Sequence, residues 1–477
     1  MLVRLHFLAA LLALAGAFAP PALASDFDID TSFGLTQGTP GWRRSYAGSG
    51  STDERIVAAA RAPDGGYVLA GWRPGGAAGV SIFLAKFRPD GSYDSAFGNS
   101  AATGNAGVGR VLKDAYLSSV TDMTIDSQGR IIVIGSTPGA IGESDFGVVR
   151  FKPDGTDDTS FAGDGGTSIA FDADATHYRT IDIPYGVTSS ADGSIFVAGT
   201  VQEFIAGVAT TVVGVAKLTP AGIVDYSFYN SGVLPAGLRE FCRTGCNNVT
   251  SVARILYDPA KDLLVMGGDY TAAPNDTDWF LITLNLSTQT VVASTHVIDF
   301  GGNSGYQLAS MTSLAMQPDG KIVATGYAFT ASFINTAVVL RRLSSVGSED
   351  TSFGNISGRG LYVGNGSDGI YSDLVIDSHN RIILAGLAGS PVKGAVLRLT
   401  PQGVIDHSFN GGIVALYDAP ISSPSSTAYN TTFKRMFLDR GQPVLVGEAP
   451  YSSIDTSDFD LVITRLKSDL IFANNFD

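Results

Sequence analysis

Short apolar runs recur along the chain, each bounded by Gly, Asn, Asp or Pro, and beyond residue 24 no stretch shows a convincing apolar period of 3.6 residues. The runs Tyr67-Val-Leu-Ala70, Ile131-Ile-Val-Ile134 and Ile382-Ile-Leu-Ala385 are continuously apolar, which predicts strands covered on both faces. Asp-Gly and Asn-containing pairs between such runs predict hairpins, because Gly and Asn tolerate a positive φ. The pattern therefore predicts strands throughout and no good helix.

Three phrases repeat. The first is a turn, an apolar run and a Gly, ending at Gly71, Gly135, Gly199, Gly267, Gly326, Gly386 and Gly447. The second mixes apolar residues with a Lys or Arg, as in Phe83-Leu-Ala-Lys-Phe87 and Phe146-Gly-Val-Val-Arg-Phe151, and suits a strand nearer a sheet edge. The third is Asp-x-Ser-Phe or a close relative, starting at Asp30, Asp94, Asp158, Asp225, Asp350 and Asp406, with a weaker copy at Asp469. Its Asp and Ser can bond neighbouring backbone N–H groups while the Phe enters the packing. A fourth strand is predicted after it, as at Val108–Leu112 and Gly360–Val363. All three phrases share a spacing of about 63 residues and give seven units. A four-stranded sheet with two apolar faces cannot bury itself alone, and radial repetition solves that. The expected fold is all-β, a single seven-bladed β-propeller; a linear β-solenoid is the competing architecture. The period exceeds the ~40–45 residues of Trp-Asp-type repeats and the ~50 of kelch repeats.

Pro318-Asp-Gly-Lys-Ile-Val-Ala-Thr-Gly326 and Phe151-Lys-Pro-Asp-Gly-Thr-Asp-Asp-Thr-Ser-Phe161 resemble the delta-60 repeat of bacterial secreted and surface proteins. The resemblance covers nearly the whole chain after residue 24 and implies a propeller-like repeat, without catalytic residues to carry over. It departs from pattern in the fifth unit, where Leu284-Asn-Leu-Ser-Thr-Gln-Thr290 replaces the Asp-x-Ser-Phe turn. Ile471-Phe-Ala-Asn-Asn-Phe-Asp477 resembles a short C-terminal tail of many secreted Gram-negative proteins, with Asn475 and Asp477 in place of Gly and Glu.

Residues 1–24 read as a secretory signal peptide: Arg4, an apolar run from Leu5 to Phe18, then Ala22-Leu23-Ala24 as a cleavage pattern. The run is shorter than the ~20 residues that span a bilayer. The division is thus a signal peptide over 1–24, a propeller over 25–472 and a tail over 473–477. The expected location is secreted, periplasmic or cell surface, with no membrane span and a monomeric state. Of the 477 residues 44% are hydrophobic and 16% charged, which excludes a disordered chain. A net charge of −14 argues against a nucleic-acid partner.

Candidate chemistry is sparse. Cys242 and Cys246 are the only cysteines, and an oxidising compartment favours a local disulfide. His379 and His407 stand where other copies place turn residues. His177 and Tyr178, in a stretch that departs from the repeat, and Trp279 are candidates for a ligand face; Tyr429 falls in a similar stretch. The acidic clusters at Asp26–Asp30 and Asp154–Asp158 lack the loop pattern of a calcium site, so no cofactor is assigned, calcium being the one considered. Three stretches deviate from the repeat: Ile169–Tyr185, Leu234–Val249 and Asp418–Phe433. The first expectation is an interaction module for a protein, peptide or glycan. The alternative is a hydrolase or lyase at the channel mouth, which a cluster of carboxylates with a His or Arg would favour; an aromatic-rimmed, uncharged face would favour binding.

Overall fold

The computed structural model describes residues 27–34, 39–45, 54–75, 79–98, 108–114, 116–138, 143–171, 181–205, 208–229, 236–242, 248–274, 276–298, 306–330, 336–344, 347–355, 359–362, 369–420, 430–450 and 459–468. These residues form seven four-stranded antiparallel sheets, two of them joined by a single parallel bridge between Thr277 and Leu308. Six are continuous in sequence: blade 1 over 55–114, blade 2 over 122–169, blade 3 over 183–241, blade 4 over 249–298, blade 5 over 306–362 and blade 6 over 369–417. Blade 7 is composite. Thr432–Asp439, Gln442–Pro450 and Phe459–Arg465 supply three strands, and Trp42–Ser45 from the start of the chain pairs on as the fourth. The first strands of successive blades touch in a closed ring, with Thr432–Asp439 of blade 7 packed on Arg55–Arg61 of blade 1. The architecture is a seven-bladed β-propeller closed by its own N-terminal strand.

Where it occurs, the Asp-x-Ser-Phe phrase locks a blade to the next. In blade 2, the Ser160 hydroxyl donates to Asp158 at 2.6 Å and Arg150 Nε donates to the same carboxylate at 2.7 Å. The Arg150 guanidinium lies 4.5 Å above the Phe161 ring and donates to the Pro220 carbonyl of blade 3. Phe161 is fully buried against Gly222 of that same turn, where an added Cβ would come within 2.7 Å of the ring. Arg342, Asp350 and Phe353 repeat the arrangement from blade 5 to Pro401 of blade 6. Arg465, Asp30 and Phe33 repeat it from blade 7 to Pro89 of blade 1. The first copy in the sequence therefore serves the last blade; the copy at Asp469 lies outside the described residues. The cation of the second phrase is thus not an edge residue facing water: Arg150 and Arg398 are each 1% exposed.

Blade 4 departs as its sequence suggests. Residues 286–289 make a tight turn, and the fourth strand runs nine residues, Thr290–Ile298. Arg239 of blade 3 compensates by donating to the Gln289 carbonyl at 2.6 Å, while the Gln289 side chain bonds the backbone of Ser227 and Tyr229.

Candidate functional site

The site begins with the glycine of the second strand. At Gly71, Gly135, Gly199, Gly268, Gly326, Gly386 and Gly447, an added Cβ would lie 1.8–2.1 Å from a carbonyl oxygen of the first strand. Only glycine permits that approach. In blade 4 the residue in this role is Gly268, a correction to Gly267: the first strand there pairs one residue later, with Arg254 opposite Gly267. The carbonyl is pushed forward because the first strand bulges, with register shifts at Ile56/Ala58, Pro184/Gly186, Val252/Arg254, Met311/Ser313, Tyr371/Asp373 and Phe433/Arg435. Bulges re-aim side chains.

The residue that follows each of these six bulges, and Asp122 at the matching register position of blade 2, stand at one equivalent place around the axis: Ala58, Asp122, Gly186, Arg254, Ser313, Asp373 and Arg435. Four of the seven are charged. Arg254 of blade 4 donates to Asp373 of blade 6 at 2.9 Å, across blade 5, a reach possible only near the axis. Asp373 Oδ1 also accepts from the Ser313 hydroxyl at 2.8 Å and the Leu374 N–H, and Oδ2 accepts from the Met436 N–H of blade 7. Asp122 Oδ2 accepts from the Val187 N–H of blade 3 at 3.2 Å, the counterpart of the Asp373–Met436 contact. Burial pushes the Asp122 carboxyl up, against the pull of Arg435 and Arg254. Asp373 holds the Arg254 guanidinium above its ordinary value despite burial, whereas burial pushes Arg435 down, against Asp373 and Asp122. Protein surrounds Arg254, yet 33% of its side-chain surface stays accessible. The two facts agree if the side chain lines a solvent-filled axial channel.

Two more carboxylates brace the ring one strand out. Asp269 accepts from the Met311 N–H at 2.6 Å and Glu448 from the Ile56 N–H at 2.9 Å, each bonding the next blade at the bulge. Burial raises Asp269 to about 7, partly offset by the Met311, Ser310 and Ser251 donors.

The topology gives the ring a polarity. The Pro-Asp-Gly and Asp-x-Ser-Phe turns join strands one to two and three to four, so they share one face. The described residues that precede the first strands of blades 3, 4 and 7 (181–182, 248 and 430–431) belong to the three stretches that deviate from the repeat, and they enter from the opposite face, at the end where the bulges lie.

Among the residues singled out in the sequence, His177, Tyr178, Tyr429 and Cys246 lie outside the described residues. The Cys242–Cys246 pairing therefore has only one described end, Cys242 after the last strand of blade 3. Trp279 is not a ligand-face residue. It is fully buried between blades 4 and 5, against Gly326, because its strand position faces the neighbouring sheet. His379 and His407 are exposed turn residues, as read. Asp154 accepts from Thr156, Asp157 pairs with Lys113 and Asp158 with Arg150, so that acidic cluster is spent on turns and cations. The axial quartet escaped motif reading because other copies carry Ala58, Gly186 or Ser313 there. Counting back 12–14 residues from each second-strand glycine would have found it.

A cavity of about 580 Å³ opens elsewhere, at the seam of blades 6 and 7, among Phe27, Asp28, Phe409, Leu416, Tyr417 and Lys467. It lies where the N-terminal segment closes the ring, and Tyr417 there donates to the Phe27 carbonyl. The charge convergence makes the axis the candidate site.

A crystal structure of the polysaccharide lyase Uly1 is similar at a TM-score of 0.46 and 11% identity, over 93% of this chain and 98% of that one. A protein of unknown function from Dyadobacter fermentans DSM 18053 is similar at a TM-score of 0.41 and 12% identity, over 90% and 100%. YCF48 from Cyanidioschyzon merolae is similar at 0.39 and 9%, over 89% and 98%. No curated protein sequence matches the chain. Residues 127–161, 317–353 and 380–409 match the β-propeller domain of unknown function DUF5122, the delta-60 repeat family. Those segments run from the first turn of blades 2, 5 and 6 to their Asp-x-Ser-Phe phrase, and the match is to these three segments of the ring.

Proposed function

We propose that the protein is a secreted or periplasmic interaction module that binds a protein, peptide or glycan at the mouth of its axial channel, on the face of the variable loops. One observation carries the reading: the axial charged residues lie toward the face from which the first strands of the blades are entered, while the other face is consumed by interlocked turns. A rigid ring with variable connections on one side is a common platform for recognition.

Hydrogen–deuterium exchange on the chain from residue 25, with and without binders selected from glycan and peptide arrays, tests it. Protection is expected at the starts of the first strands, around 184–187, 252–255 and 433–436. Protection confined to the Pro-Asp-Gly turns would overturn it.

The alternative, a hydrolase or lyase at the same mouth, draws on one specific observation. Asp122 is a carboxyl raised by burial with two guanidiniums nearby, a pairing of proton donor and anion stabiliser. Against it, Asp373 spends both oxygens on four protein donors. Turnover of an array ligand that is lost in Asp122→Asn would move the reading to catalysis.

A further inference from the structure

Resting on that reading of the channel mouth, we propose that the site selects ligands carrying a carboxylate, which Arg435 takes as its missing counter-ion. Across the described residues, the repeat pairs its buried cations closely: Arg150, Arg342, Arg398 and Arg465 each lie within 2.9 Å of a turn aspartate. On the axis Arg254 has Asp373. Arg435 stands at the equivalent place in blade 7, and its one hydrogen bond among the described residues goes to the neighbouring Lys434 carbonyl, at 3.2 Å. The nearby carboxylates are engaged elsewhere: Asp373 with Arg254, Ser313 and two backbone N–H groups, Asp122 with Val187.

Lys434, beside Arg435 in the same bulge, adds a second positive charge that forms no ion pair among the described residues. A chain of net charge −14 thus keeps two adjacent cations without an ion-pair partner among the described residues, and Asp373 and Asp122 act on Arg435 only through space. A guanidinium enclosed by protein gains most from a planar, bidentate acceptor, which a carboxylate provides. Two sources share that chemistry, a sugar acid and an acidic peptide.

The test is isothermal titration calorimetry on the folded chain from residue 25, at low salt, with sodium glucuronate, a Glu-Glu dipeptide, and glucose as the neutral control. At least one acid is expected to bind and glucose is not. Arg435→Gln is expected to weaken binding about tenfold or more, with Arg435→Lys intermediate. Raising the salt to about 0.15 M should weaken the wild type more than Arg435→Gln. Lys152→Gln, the same charge change at an exposed turn on the other face, should bind as wild type. Binding of glucuronate alone assigns a sugar acid, of the dipeptide alone an acidic peptide, and of both a carboxylate whatever bears it. Circular dichroism checks that each variant is folded, and Lys434→Gln gives a second, milder removal of charge. Failure of both acids to bind the wild type, or wild-type affinity in folded Arg435→Gln, overturns the proposal. In that event protection of the variable face by an uncharged ligand would leave the interaction reading standing; protection of the turn face would remove that reading as well.

Discussion

Arg254 and Asp373 meet at 2.9 Å although they stand on first strands two blades apart, 119 residues distant in sequence. Their contact ties blades 4 and 6 across the axis. With Ser313 from blade 5 and the Met436 N–H from blade 7, it gathers four consecutive blades on one carboxylate.

This makes Asp373 a stability residue before it is anything else. Asp373→Ala removes the acceptor for four donors and leaves Arg254 uncompensated in an enclosed site. The expected loss is about 3–5 kcal/mol of unfolding free energy. In a double-mutant cycle with Arg254→Met, measured by urea unfolding, the two residues should couple by about 0.5–3 kcal/mol. Additive effects would contradict the contact.

The bulge explains the glycine of each second strand, and blade 4 offers a paired test. In Gly268→Ala the new Cβ meets the Ser251 carbonyl at 2.0 Å, which backbone cannot easily relieve. In Gly267→Ala the nearest atom is the Met311 sulfur at 3.0 Å, at the far part of a flexible side chain. Gly268→Ala should cost about 3 kcal/mol or more and Gly267→Ala about 1 kcal/mol, compared by thermal or urea unfolding. The reverse order would place the bulge wrongly.

Each Phe of the turn phrase should matter through the next blade. Phe161→Ala opens a cavity between blades 2 and 3 and should cost about 3–5 kcal/mol. Arg150→Met keeps the packing but strands Asp158 and the Pro220 carbonyl, and should still cost about 1–3 kcal/mol. Chemical denaturation of both variants checks the pair.

Asp269 gives the fold a pH dependence of unusual sign for a carboxylate. Its folded value, about 7, exceeds the ordinary 3.8, so between those values the unfolded chain has released a proton that the folded chain keeps. Stability from this group therefore falls as pH rises from about 4 to 7, and is constant beyond. The stability of Asp269→Asn relative to wild type should rise through that window. A flat difference would show that Asp269 is ionised in the folded protein there. The turn aspartates act in the opposite sense. For Asp158 and Asp406, Ser and Arg partners outweigh burial and hold the carboxyl below the usual range, so their contribution is lost as acid protonates them.

Much of this was legible in the sequence, for local reasons. Hairpin turns, buried strands and the Phe plug are short-range features, and their repetition around the ring, with the plug missing only in blade 4, averages out the noise; the number of blades follows from them. The closure of blade 7 was not legible, because Asp30–Phe33 reads as the start of unit one and only the Arg465 contact assigns it to the last blade. Trp279 was misjudged because burial by a neighbouring blade is a property of the ring, invisible in one unit. The axial residues were hidden for the same reason: Asp122, Arg254, Asp373 and Arg435 become a site only when the seven first strands are superposed around one axis.

A crystal structure of the chain from residue 25 tests the central claim most directly. Seven blades are expected, with Trp42–Ser45 paired on Phe459–Arg465 and with Asp122, Arg254, Asp373 and Arg435 converging on one solvent-filled channel. A different number of blades, or Arg254 and Arg435 turned away from the axis into separate blade interfaces, would contradict it.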